Sequence, residues 1–227
     1  MIQGFQRESR GTTSARRRRA TSTQWRAYRL LVVGEVGFLV FTGVCIALHP
    51  GFVLKANEGG LSDYGVHLKT TIPYTLSLVL LSVCDLRAAF LYSERDRRTR
   101  RLRLLLFGFA GVIGLVLLST YVYTLNSVLK ELHYGLGTLL IVVVTIGSIW
   151  MYRLWPPSAS LRLFLLVQLV GDALNLATSV GALHVLCLAE LLSNIGFALI
   201  LIRTGRNIAL EVGQASPKKD VIQGIDT

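Results

Sequence analysis

Five blocks of nearly uncharged, apolar residues, each about as long as a bilayer is thick or longer, run through this chain. A helix rises about 1.5 Å per residue, so about twenty apolar residues cross the hydrocarbon layer. Four blocks are of single-crossing length: Tyr28 to Leu48, Thr71 to Tyr92, Leu104 to Leu125 and Tyr134 to Leu154. The fifth runs from Leu161 to Ile202. As one helix it would reach roughly 60 Å, about twice the hydrocarbon thickness. It must turn back, and Thr178-Ser179-Val180-Gly181 supplies the polar, flexible residues for a turn. The expected fold is therefore all-α, a polytopic bundle of six transmembrane helices.

Charge sets the orientation. Of the 24 Lys and Arg residues, 21 fall at one end of the expected bundle: in the N-terminal segment, around Arg95 to Arg103, at Arg87, Arg153 and Arg162, and after Ile202. Only Lys55, Lys69 and Lys130 fall at the other. Basic residues stay on the cytoplasmic side, which puts both termini inside. The domain reading is a disordered basic cytoplasmic tail over 1–27, a transmembrane domain over 28–203 and a cytoplasmic tail over 204–227. The first span is full length with no clear small-residue cleavage site behind it, so it reads as a retained anchor and not a signal peptide. Trp25, Tyr28, Tyr92, Trp150, Tyr152 and Trp155 gather at the inner level, and Tyr64, Tyr74, Tyr121, Tyr123 and Tyr134 at the outer, as headgroup-seeking rings do.

A net charge of +11 would suit nucleic acid, but the basic residues flank the spans, where topology requires them, so no nucleic-acid partner is expected. The expected partners are membrane lipids, with a membrane protein or a second copy permitted by small residues at helix-packing spacing: Gly43 and Ala47, Ala110 and Gly114, Ala173 and Ala177. Arg outnumbers Lys 19 to 5, the bias of a GC-rich genome, which points to a bacterial cytoplasmic membrane. Cys45, Cys84 and Cys187 lie inside apolar spans as small hydrophobic residues; depth alone leaves a Cys45–Cys187 bridge open.

Ionisable residues inside spans are expensive and mark candidate sites. Glu35 and Asp85 fall at a similar inner depth, Asp172 with Asn175 near the midplane, and Glu190 in the outer third. They read either as a polar route for a small transporter or channel, or as structural hydrogen-bonding groups. All four histidines, His49, His67, His133 and His184, fall at the outer level, with Glu58, Asp63 and Glu131. His67, His133 and His184 are the candidate ligands for a divalent metal, which would make an outer-face metal enzyme; the alternative is ordinary interfacial histidines. No other cofactor is expected. The longest connection, His49 to Thr70, contains Ser62, Asp63 and Gly65; without a nucleophile elbow, Asp63 beside Ser62 reads as local turn capping, and Gly59, Gly60 and Gly65 as turn residues.

The element Ser62-Asp63-Tyr64-Gly65 in a first outer loop, a histidine opening the fourth span (His133) and an acid in the last (Glu190) resemble the DRAM/FRAG/SFK group of six-span membrane proteins. The resemblance covers roughly 28 to 203; the proline-rich stretch after the Ser-Asp element is here reduced to Pro73. It implies a non-enzymatic membrane protein tied to lipid organisation.

Overall fold

The computed structural model describes residues 3–55, 60–92, 96–156 and 158–214, with side chains described from residue 21 onward except 54, 55, 213 and 214. Eight helices follow in order: α1 (Gln3–Leu48), α2 (Gly51–Lys55), α3 (Asp63–Val66), α4 (Thr71–Leu91), α5 (Arg97–Thr120), α6 (Ser127–Leu154), α7 (Ala159–Ser179) and α8 (Leu186–Gln214). Six of these are long and apolar enough to cross a membrane: the Thr21–Leu48 part of α1, then α4, α5, α6, α7 and the Leu186–Val212 part of α8. Residues 3–27, expected as a disordered tail, are the helical start of α1, with side chains described from Thr21; Glu58, Arg95, Lys218 and Lys219 lie outside the described residues.

Several helix ends are set by local chemistry. Asn126 accepts a hydrogen bond from Leu129 N at 2.9 Å and starts α6, and Ser158 accepts from Leu161 N at 3.3 Å and starts α7. Such side-chain acceptors satisfy amides that the first turn leaves free. Pro156 prevents α6 from continuing past Trp155. The fifth apolar block turns where the sequence indicates: α7 ends at Ser179, and Gly181 takes φ 75°, a left-handed conformation that glycine adopts without strain. α8 runs on past Arg203 to Gln214, further than the apolar run implies, and Glu211 in this extension meets Arg98 of α5 at 3.4 Å.

The helices close into one bundle. α1 packs on α4 and α8, α4 on α5, α5 on α6, and α7 on α8. Phe109 of α5 and Phe197 of α8, ring centroids 4.7 Å apart, join opposite sides of the core. Leucine and valine side chains such as Leu118, Leu163 and Leu176 face outward, as they do where the solvent is hydrocarbon.

The tightest helix contact is between α7 and α8. A Cβ on Gly171 would meet the backbone of Ser193 and would lie 2.8 Å from Ala189 O; a Cβ on Gly196 would lie 2.7 Å from Gln168 Cα. Gly34 brings α1 against Cys84 of α4 in the same way. The small-residue pairs singled out in the sequence are placed differently. Gly43 and Gly114 have open space where a Cβ would stand, and Gly43, Ala47 and Ala173 are exposed on the outside of the bundle. Spacing of small residues cannot say which face of a helix meets a neighbour. The cysteines are three buried free thiols.

Gly171→Ala should therefore force two backbones apart and cost about 1–3 kcal/mol, the scale of overpacking, whereas Gly114→Ala should be neutral or mildly stabilising. Thermal denaturation of the two variants in one detergent reads the difference; equal melting temperatures would remove the α7–α8 contact as a stability determinant.

Candidate functional site

The acidic groups within the spans divide between the two ends of the bundle. Glu35 and Asp85 flank the close approach of Gly34 to Cys84, and both are buried. One oxygen of Glu35 and both of Asp85 have no hydrogen-bond partner. Arg87, two residues on, points to the outside and forms no ion pair with Asp85 among the described residues.

The other groups converge on the opposite half. Asp172 of α7 accepts from Thr145 of α6 at 2.7 Å and from Ser193 of α8 at 2.5 Å, so one carboxylate ties three helices. Asn175, one turn on, is buried with both amide atoms unpartnered, as is Gln168 on the same helix. Glu190 of α8 accepts a hydrogen bond from the backbone N–H of Leu61 at 2.5 Å. The outer loop thus folds back over the bundle and is held by a span carboxylate. Gly60 is part of this contact, since a Cβ there would stand 2.5 Å from the Glu190 carboxylate oxygen.

A second attachment lies across the loop. Tyr123, in the α5–α6 connection, donates to Asp63 Oδ1 at 2.7 Å. Its ring stacks on His133, centroids 4.7 Å apart and planes 17° from parallel, and His133 Nδ1 shares a hydrogen bond with Ser119 Oγ at 2.8 Å. Thr70 Oγ1 donates to Tyr64 O at 2.7 Å and closes the loop on itself. Gly65 again allows close approach: a Cβ would collide with Thr120 and the Tyr74 ring. One reading from the sequence is corrected. Ser62 makes no side-chain capping bond, and Asp63 is engaged by Tyr123, a tertiary partner, so the Ser-Asp element is a docking element and not a cap. Gly60 opens a turn closed by Asp63 N–H at 3.1 Å, and it and Gly65 are also required by space, with φ in neither case positive; Gly59 lies outside the described residues.

Beneath the loop lies a cavity of about 100 Å³. Its wall is apolar, with Phe38, Leu78, Phe109, Ile113 and Val144 among the side chains. His133, Asn175, Glu190, Ser193 and Asn194 supply the polar groups, and Leu61, Ser62 and Tyr64 form the lid. A concave apolar wall with a few convergent polar groups is the usual make-up of a ligand site. No protein-family model, curated protein or solved structure matches this chain.

The three candidate metal ligands are not brought together. His67 packs edge-on against His49 at 4.3 Å and Phe52 at 5.5 Å, His133 lies against Tyr123, and His184 is exposed in the α7–α8 connection. Among the described residues no group of three His, Cys, Asp or Glu side chains is placed to hold a metal ion. The partners that complete the site, Tyr123, Ser119, Thr145 and Ser193, carry no sequence signal beyond being polar residues in or beside spans.

Glu190→Ala would leave the Leu61 N–H without its acceptor; a hydrogen bond to a carboxylate is worth about 1.5–3 kcal/mol. Hydrogen exchange at Leu61 and proteolysis in the loop should rise tenfold or more, while Glu190→Gln, which retains an acceptor oxygen, should change less. Burial pushes the Tyr64 hydroxyl up to about 12, and burial together with the Asp63 carboxylate raises Tyr123 as well. Groups whose native pKa is raised stabilise fully below the unfolded value, about 10 for tyrosine, and lose that contribution as pH rises through the native value. Loop protection should thus hold from pH 7 to about 10 and fall above it; a loop already released below pH 9 would contradict this.

Proposed function

We propose that this chain is a non-catalytic, multi-pass protein of a bacterial cytoplasmic membrane, with both termini in the cytoplasm, that binds a lipid-class amphiphile in its loop-capped outer cavity. The observation that carries this reading is the lid: Leu61, Ser62 and Tyr64 cover an apolar cavity and are held by Glu190 and Tyr123. An apolar end of an acyl or isoprenoid chain suits the wall, and a hydroxyl or amide on the ligand suits Asn175 and Asn194. Asn175 has two buried polar atoms without partners, which a ligand would satisfy. A cavity of about 100 Å³ takes only part of such a molecule, so the remainder would leave between helices or through the lid. Binding of this kind serves lipid organisation or presentation to a membrane partner, in line with the resemblance to the DRAM/FRAG/SFK group.

A second reading is a small transporter, favoured by the succession Glu35 and Asp85, Asp172, then Glu190 along the bundle. It requires Asp172 to exchange partners during transport, and Asp172→Asn should then abolish flux in vesicles while the fold persists.

Lipid-class binding is tested by titrating the full-length protein in detergent with a fluorescent fatty-acyl probe. We expect saturable binding at one site, weakened tenfold or more by Val144→Phe, which fills the cavity. Absence of saturable binding, or equal binding by the filled variant, would overturn the reading.

A further inference from the structure

At the opposite, arginine-rich end of the bundle, α1 and α4 border an open groove of about 530 Å³. Its lining combines Arg26, Arg29 and Arg87 with Leu30, Val33, Phe90 and Leu91. The spacing explains the shared face: residues 26, 29, 30 and 33 lie on one side of α1, and 87, 90 and 91 on one side of α4. The three arginines are exposed and none forms an ion pair among the described residues. Val33 and Phe90 are 52% and 64% exposed, so the apolar wall is open to the surroundings of the bundle.

Arg87 makes this groove unlike an ordinary basic fringe. The helices run antiparallel, and Arg87 sits a turn further from the basic end than Phe90 and Leu91. An arginine at the centre of an apolar span costs about 2.5–3.5 kcal/mol unless it is paired or reaches the interface, and Arg87, a turn from the end of α4, bears part of that cost. The acidic neighbour, Asp85, is buried on a different face, so among the described residues no carboxylate of the protein pairs with Arg87, and the guanidinium is open to an anion from outside.

We infer that this groove is a binding site for one anionic phospholipid, its phosphate held by Arg26, Arg29 and Arg87, its glycerol region against Phe90 and Leu91 and its acyl chain laid along Leu30 and Val33. Guanidinium groups match phosphate oxygens in geometry and charge, and basic pockets between membrane helices are suited to anionic headgroups. The apolar wall adjoining the three charges selects a lipid over a free phosphate ion, which has nothing to place there. The site lies at the other end of the molecule from the loop-capped cavity and does not depend on the ligand proposed for it.

The test uses the full-length protein, delipidated in a mild non-ionic detergent, with phosphatidylglycerol as probe and binding read by native mass spectrometry. One phosphatidylglycerol should stay bound, at least tenfold more tightly than phosphatidylcholine, and millimolar glycerol phosphate should not displace it. The triple variant R26Q/R29Q/R87Q should weaken it at least tenfold. Arg153→Gln, an exposed arginine at the same end but outside the groove, should leave it unchanged. If the triple variant does not fold, Arg87→Gln alone must weaken binding at least threefold. Equal retention of the two lipids, displacement by glycerol phosphate, or the same loss with Arg153→Gln as with the groove variants would each overturn the proposal, the last by reducing it to diffuse charge.

Discussion

In hydrocarbon a polar group that finds no partner inside the protein finds none at all, and each one left so costs several kcal/mol. Helices settle the backbone by themselves. The segments between them cannot, and the longest connection meets the constraint by docking. Leu61 gives its amide to Glu190, Thr70 its hydroxyl to the Tyr64 carbonyl, and Asp63 takes the Tyr123 hydroxyl. The described part of the loop, from Gly60 to Thr70, is held because the bundle supplies polar partners to it, Glu190 of the last helix among them.

The number of long apolar helices was legible in the sequence and their rotation was not. Apolar length locates six helices and the Gly181 turn, although α6 starts at Ser127, ahead of the apolar block that opens at Tyr134, and α8 runs on past Ile202 to Gln214. Which way a residue faces depends on how six helices pack around one another. His67, His133 and His184 share a level and still point to different neighbours. Gly43 and Gly114 have the spacing of a packing motif and no helix against them, while Gly171 and Gly196, outside any such pair, touch backbone. The aromatic belt misleads in the same way: Tyr74 and Tyr123 have the level of interfacial rings, yet one hydrogen bonds Thr120 inside the bundle and the other holds the loop.

The α7–α8 hairpin is the rigid side of the candidate site. Glycine contacts let the two helices approach until backbone meets backbone, and Asp172 adds bonds to Ser193 within the hairpin and to Thr145 on α6. Glu190 and Asn194 project from this same hairpin toward the cavity. A site built this way has one fixed wall and one detachable lid, since the lid is held by a few side-chain hydrogen bonds and not by interleaved helices. Contacts of that kind open at low cost compared with global unfolding.

The unpartnered polar atoms divide along the same line. Asn175 lines the cavity, where an incoming polar group can reach it. Asp85 and Glu35 face one another's helices away from any cavity described for this chain, against the close contact of Gly34 with Cys84. The first arrangement costs stability in the empty state and returns it on ligand binding, because a bound ligand and the native fold stabilise each other. The second adjoins no cavity described for this chain, and the arginine groove lies beside it between the same two helices. A lipid that bridges Arg26 and Arg29 of α1 to Arg87 of α4 would act on this same seam, adding an outer clamp to two helices already closely packed at Gly34 and Cys84.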